Sequence, residues 1–268
     1  MNIFNLTQSI AAQGAGPEQP AAGMSRRDVF EKLGAFGKKL ATGAVPLGAT
    51  TLLTAQKAVA GTDTVVDILN FALLLEYLDS TFYTLGLESG VIPPGFERDV
   101  FGQISKNENH QVQFLQNTIR SLGGEPIEKP EFDYTAKGRF APFERYSQFL
   151  AIAQAFEDTG VRAYKGQAPN LMGHNTILRA ALQIHSVEAR HAARIRRLRG
   201  LQGWILLDER GEGMPAETQP VYQGEAQVTQ GGVNLTTVTA YDRFDVSESF
   251  DEPLTRQEVT AIASLFLA

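Results

Sequence analysis

The sequence predicts an all-α protein: a four-helix bundle made of two helical hairpins joined by one long crossover, then an irregular extension with a short helix. Three observations predict it. From Asp63 onward apolar residues recur at helical spacing, Gly and Pro divide that pattern into four long segments, and each segment's apolar seam carries a glutamate near its middle. An apolar content of 43% suffices for a core of ordinary size, and 20% charged residues is too few for wholesale disorder.

The first sixty residues read differently and look like an export leader, which would make the protein periplasmic or envelope-located. Ser25, Arg26 and Arg27 resemble a twin-arginine motif, with Val29 and Phe30 as its apolar positions. A modestly apolar run from Leu40 to Ala55 follows, and Ala58-Val59-Ala60 forms a small-residue cleavage site. The run is shorter than the roughly 20 apolar residues needed to span a bilayer, so no integral membrane segment is expected in the mature chain. The expected organisation is a leader over 1–60, a bundle over 61–200 and an extension over 201–268.

The first helix is expected from about Asp63 to Ser89, stopped by Gly90 with Pro93 and Pro94 beyond. The second runs from about Phe96 to Leu122 and ends at Gly123-Gly124. A Pro-containing connection leads to a third from about Phe143 to Gly166, and after "QAPNLMG" a fourth runs from about Asn175 to Arg199. Beyond Gly200 the pattern stops; short strands are expected around Val221 and from Thr236 to Ala240. The terminal helix, 255–267, has Thr255 as N-cap, Glu258 closing a capping box and Leu254 stapling to Val259. Its face of Val259, Ile262 and Phe266 must be covered by the bundle or by a second copy of the chain.

Steps of three and four place Val66, Leu69, Leu73, Glu76, Ser80, Tyr83 and Leu87 on the inner face of the first helix. They place Phe101, Ile104, Glu108, Gln111, Leu115 and Leu122 on that of the second. The third presents Phe143, Tyr146, Leu150, Ala153, Glu157, Val161 and Tyr164, and the fourth Leu178, Ala181, His185, Glu188, Ala192 and Ile195. A core glutamate is expensive unless paired or coordinated, so four of them demand a shared cause. Height along the bundle agrees. At 1.5 Å per residue, Glu76 and Glu108 lie roughly 20 Å and 18 Å from their hairpin, and Glu157 and Glu188 about 14 Å and 20 Å from theirs. On the fourth helix Glu188 and His191 lie about 60° apart on one face, the Glu-x-x-His spacing of carboxylate metal sites.

The absence of cysteine excludes disulfides, thiolate metal sites and Cys nucleophiles, so a transition metal here must rest on carboxylate and imidazole. That leaves iron, manganese or zinc. A net charge of -6, with no basic stripe interleaved with aromatics, excludes nucleic acid as the main partner. Other polar residues have two readings each: Asp79 an extra carboxylate near the site or, as favoured, an exposed residue; His185 a ligand-orienting or a structural histidine; Tyr83 and Tyr164 cavity lining or, as favoured, core packing. The segment "RIRRLRG" is read as the solvated end of a helix.

The segments "DILNFALLLEYLDSTFYTLGL", "ISKNENHQVQFLQNTIRSLGG", "FLAIAQAFEDTGVRAYKG" and "HSVEARHAARIRRLRG" resemble the bacterial ferritin-like domain family, which includes desiccation-related proteins. The resemblance covers about Asp63 to Gly200. It implies metal ligands Glu76, Glu108, Glu157, Glu188 and His191, binding one or two ions of iron or manganese. The chain departs from the family at the second motif: Gln111 stands where the pattern has histidine, and His110 is turned about 160° from Glu108. An amide oxygen is a weaker ligand than imidazole, so the resemblance implies an asymmetric site. Two functions stay open, a metal-dependent oxidoreductase acting on oxygen or peroxide, and a non-enzymatic envelope scaffold for stress or desiccation with at most a structural metal.

Overall fold

The computed structural model describes residues 64–268, and the expected export leader lies outside the described residues. Helix α1 spans Val65–Ser89, opened by a capping box between Thr64 and Asp67 and closed at Gly90 in the left-handed conformation (φ 78°). Helix α2, Phe96–Ser121, runs back along it after Gly95. Helix α3 spans Tyr146–Gln167, continues as a 3-10 turn over Ala168–Leu171, and pairs with α4, Asn175–Leu198. The two hairpins, α1 with α2 and α3 with α4, form the tightest pairings, and α3 also packs on α1.

The crossover between hairpins is irregular but well tied. Asn70 on α1 brackets it through Glu125 O and Ile127 N (3.0 and 2.9 Å), and Tyr134 donates to the Leu78 carbonyl at 2.7 Å. Helix α3 begins three residues later than expected because residues 142–144 form a turn. Leu122 is exposed and Ile119 takes the buried position, since α2 ends one residue before Leu122 and the cap turns that side chain outward.

Every residue of α3 from Phe149 to Tyr164 is buried. The small side chains Ala151, Ala153, Ala155, Gly160 and Ala163 let neighbours approach on all sides, which a one-sided seam does not anticipate. One face meets the bundle and another meets the extension. The extension holds a 3-10 turn over Ala216–Val221, a two-residue antiparallel hairpin of β1 (Thr229–Gln230) and β2 (Val233–Asn234), α5 (Leu235–Val238), α6 (Arg243–Glu248) and α7 (Arg256–Ala263). The expected strands near Val221 and Thr236–Ala240 are therefore wrong. Val221 closes a 3-10 turn, 235–238 is one helical turn, and the hairpin instead uses Gly231-Gly232, both at positive φ, for its turn.

The capping box of Thr255 and Glu258 opens α7 as expected. Its Val259 and Ile262, with Phe266, are buried against the bundle, the Phe266 ring 4.8 Å from that of Phe156. Arg162 on α3 anchors the rest of the extension: its guanidinium donates to the carbonyls of Val221, Gln223 and Glu252 and pairs with Glu225 at 2.6 Å. Gly166 is required one turn later, because an added Cβ would stand 1.9 Å from the Leu254 carbonyl oxygen. The "RIRRLRG" segment is not simply a solvated helix end. Arg196 is buried and bonded to Asp158 (2.5 Å) because the extension closes over it with Tyr222, whose hydroxyl donates to the same carboxylate at 2.9 Å. Among the described residues no helix is long and apolar enough to cross a membrane.

Candidate metal centre

Helical spacing brings the four glutamates to one level in the bundle core. Glu76, Glu108, Glu157 and Glu188 come from α1, α2, α3 and α4, and none is more than 2% exposed. One ligand atom each from Glu108, Glu157, Glu188 and His191 lies within 4.8 Å of all the others. Glu76 stands beside this set, close enough for its charge to be felt by Glu108 and Glu188. Gln111, also buried, donates from Nε2 to Glu188 Oε1 at 3.1 Å. Four of the six residues singled out in the sequence thus converge on one interior point, and Glu76 and Gln111 stand next to them.

Side chains beyond those six hold the arrangement. Tyr83 donates its hydroxyl to Glu157 Oε1, and Tyr164 donates to Glu76 Oε1. Both tyrosines do more than pack. Each lies two turns beyond a glutamate on its own helix, so the spacing was the available signal. Asn107 was not foreseen, because nothing in its neighbourhood marks it; its amide nitrogen sits 3.0 Å from His191 Nε2 and its oxygen accepts from Gln103 at 2.8 Å. That string holds the imidazole so that Nδ1 faces the carboxylates, 2.9 Å from Glu108 Oε1 and 3.3 Å from Glu157 Oε2. Gly160 gives Glu188 its room, for a Cβ there would stand 3.1 Å from Oε2.

Asp79 corrects the expectation of an exposed residue. It is 4% exposed, turned towards Phe156 and Gly160 of α3 and Ile262 of α7, because the extension roofs over the face that would otherwise meet water. His185 is the structural histidine of the two readings, its Nδ1 2.9 Å from the Val161 carbonyl. His110 is exposed, as a regular α2 requires, and so is His174 at the start of α4.

The electrostatics of this cluster favour a cation. Burial pushes the Glu76 carboxyl up to about 7, opposed by the adjoining Glu108 carboxyl and by the hydroxyl of Tyr164. Burial, then the charges of Glu188 and Glu76, holds Glu108 well above the ordinary carboxylate range; burial, then Glu157 and Glu76, does the same to Glu188. Asp79 is raised by burial and by Glu157 and Glu76. Meanwhile Glu76 Oε2, both Glu108 oxygens, Glu157 Oε2 and Gln111 Oε1 are buried without any hydrogen-bond partner, and His191 Nδ1 is aligned for a bond to neither nearby carboxylate. The orphaned oxygens are electron-pair donors, and His191 Nδ1 joins them in the tautomer that carries its proton on Nε2, with the Asn107 amide oxygen turned to accept it. Oxygen donors with one imidazole suit iron or manganese, so the residues fit a bound transition metal.

Comparison with curated proteins returns no match. Residues 64–201, the stretch that forms the four helices and carries every one of these side chains, match the family model of the ferritin-like domain, and the chain belongs to that family.

Proposed function

We propose that the protein is exported and holds iron or manganese in the bundle core to act on oxygen or peroxide. One observation carries this reading: three buried carboxylates and an imidazole, from α2, α3 and α4, offer ligand atoms that all lie within 4.8 Å of one another, with several buried oxygens around them left without a donor. Glu108, Glu157, Glu188 and His191 make up the fuller position. Glu76 and Gln111 would add weaker oxygen donors beside it. A bound metal would supply the change of oxidation state; carboxylates serve such an ion because they bridge and alter their mode of binding as its charge changes. The chain's own residues hold the geometry. Tyr83 and Tyr164 fix two carboxylates, the Gln103–Asn107 string fixes the imidazole, and the closed apolar shell keeps bulk water from the reacting atoms.

A second reading, an envelope scaffold with a structural metal, is favoured by Gln111. Its amide already neutralises part of Glu188 by hydrogen bonding, a role a histidine ligand could not keep while coordinated. Metal analysis of the purified protein, with absorption spectra recorded under oxygen, separates the two. Bound metal together with an oxygen-dependent band supports the oxidoreductase. A protein that purifies metal-free, or that keeps its metal content when Glu188→Ala and His191→Ala are combined, refutes the metal centre. Cell fractionation with and without Arg26→Lys plus Arg27→Lys tests export.

A further inference from the structure

We propose that an apolar pocket between α2 and α4 admits a dioxygen-sized apolar molecule and delivers it to the Glu76–Gln111 half of the centre. This rests on the metal reading above and names the substrate class that reaches it. The pocket is lined by all four helices and its wall is almost wholly hydrocarbon. It leaves about 20 Å³ for the centre of a water-sized molecule, where a single water needs roughly 10–15 Å³ together with polar partners that this wall does not offer. Such a space stays dry and takes small apolar guests. Its outer rim is Phe114, which is 41% exposed, and Ala180.

The register of the lining places the pocket directly beside the centre. Ala72 is one turn before Glu76, Leu115 one turn after Gln111, and Ile184 one turn before Glu188. Tyr164 belongs to both, with its ring in the pocket wall and its hydroxyl on Glu76. His191 lies on the opposite side of Glu188 along α4, so the pocket adjoins the half of the centre that lacks an imidazole. A small molecule arriving there meets the position with the weakest protein ligand, where coordination is most easily opened. Tyr164 is the positioning residue between the two spaces.

The test uses xenon on metal-free crystals of the whole protein and, separately, the oxygen reaction of protein loaded with ferrous iron. Xenon is expected between Ala72, Leu115, Tyr164 and Ile184, and is expected to be lost in Ala181→Leu, which fills the pocket. In that variant the rate with oxygen should fall about tenfold at unchanged iron content, while the rate with polar hydrogen peroxide should hold. Metal loading without xenon in the unmodified protein overturns the pocket alone. Xenon without metal loading overturns the metal reading and the delivery that depends on it. Should Ala181→Leu fold poorly, Ala180→Phe at the rim gives the same contrast, and an unchanged oxygen rate in a folded, xenon-free variant refutes delivery.

Discussion

Gln111 decides what kind of centre this is. Its side chain is as buried as a ligand should be, yet it spends its Nε2 on Glu188 and leaves Oε1 without a partner. A neutral amide oxygen can occupy a coordination position but contributes less than imidazole to a divalent transition metal. Gln111→His restores the nitrogen donor on α2, at the cost of the hydrogen bond to Glu188. The expected outcome is a rise in metal content toward about two per chain, the number set by paired Glu-x-x-His motifs. It is checked by elemental analysis of protein purified from metal-supplemented medium. Unchanged content would show that the weaker position is closed for another reason, such as the Tyr164 hydroxyl on Glu76.

At the scale of elements, the helices were readable and their surroundings were not. The punctuation at Gly90, Gly123 and the Asn175 start fixes helix ends to within a residue or so, and period alone puts the four glutamates inward. The burial of Asp79 and Arg196 was hidden because it depends on the extension, whose docking uses backbone carbonyls that carry no sequence signature. Arg162 is the clearest case. Nothing in the sequence around it marks it, yet it gathers Val221, Gln223, Glu225 and Glu252 from distant stretches of chain. Arg162→Ala removes one partner of a fully buried pair and strands those carbonyls, so a loss of about 3–5 kcal/mol is expected. Urea unfolding measures it, and faster hydrogen exchange over residues 221–254 would locate it. Arg162→Lys should recover little, since an ammonium cannot reproduce the planar fork.

For the molecule as a whole, the same buried carboxylates that suit a metal are a liability without one. In the metal-free protein Glu76 holds its proton up to about 7, and Glu108, Glu188 and Asp79 hold theirs well above the ordinary values of 4.5 for Glu and 3.8 for Asp. Between these limits the folded chain binds more protons than the unfolded chain. The associated stability is therefore fully present below the unfolded values and is lost as pH rises through the folded ones, by at most about 1.4 kcal/mol per pH unit for each group. A bound metal takes the place of those protons, and its stabilisation must grow as pH rises because the ligands are given up more readily. Melting of the metal-free protein is expected at progressively lower temperature from about pH 5 to about pH 8. The manganese-loaded protein should show little such decline. Scanning calorimetry of both forms across that range checks it; parallel curves would mean that the metal does not sit among these carboxylates, however well their geometry suits it.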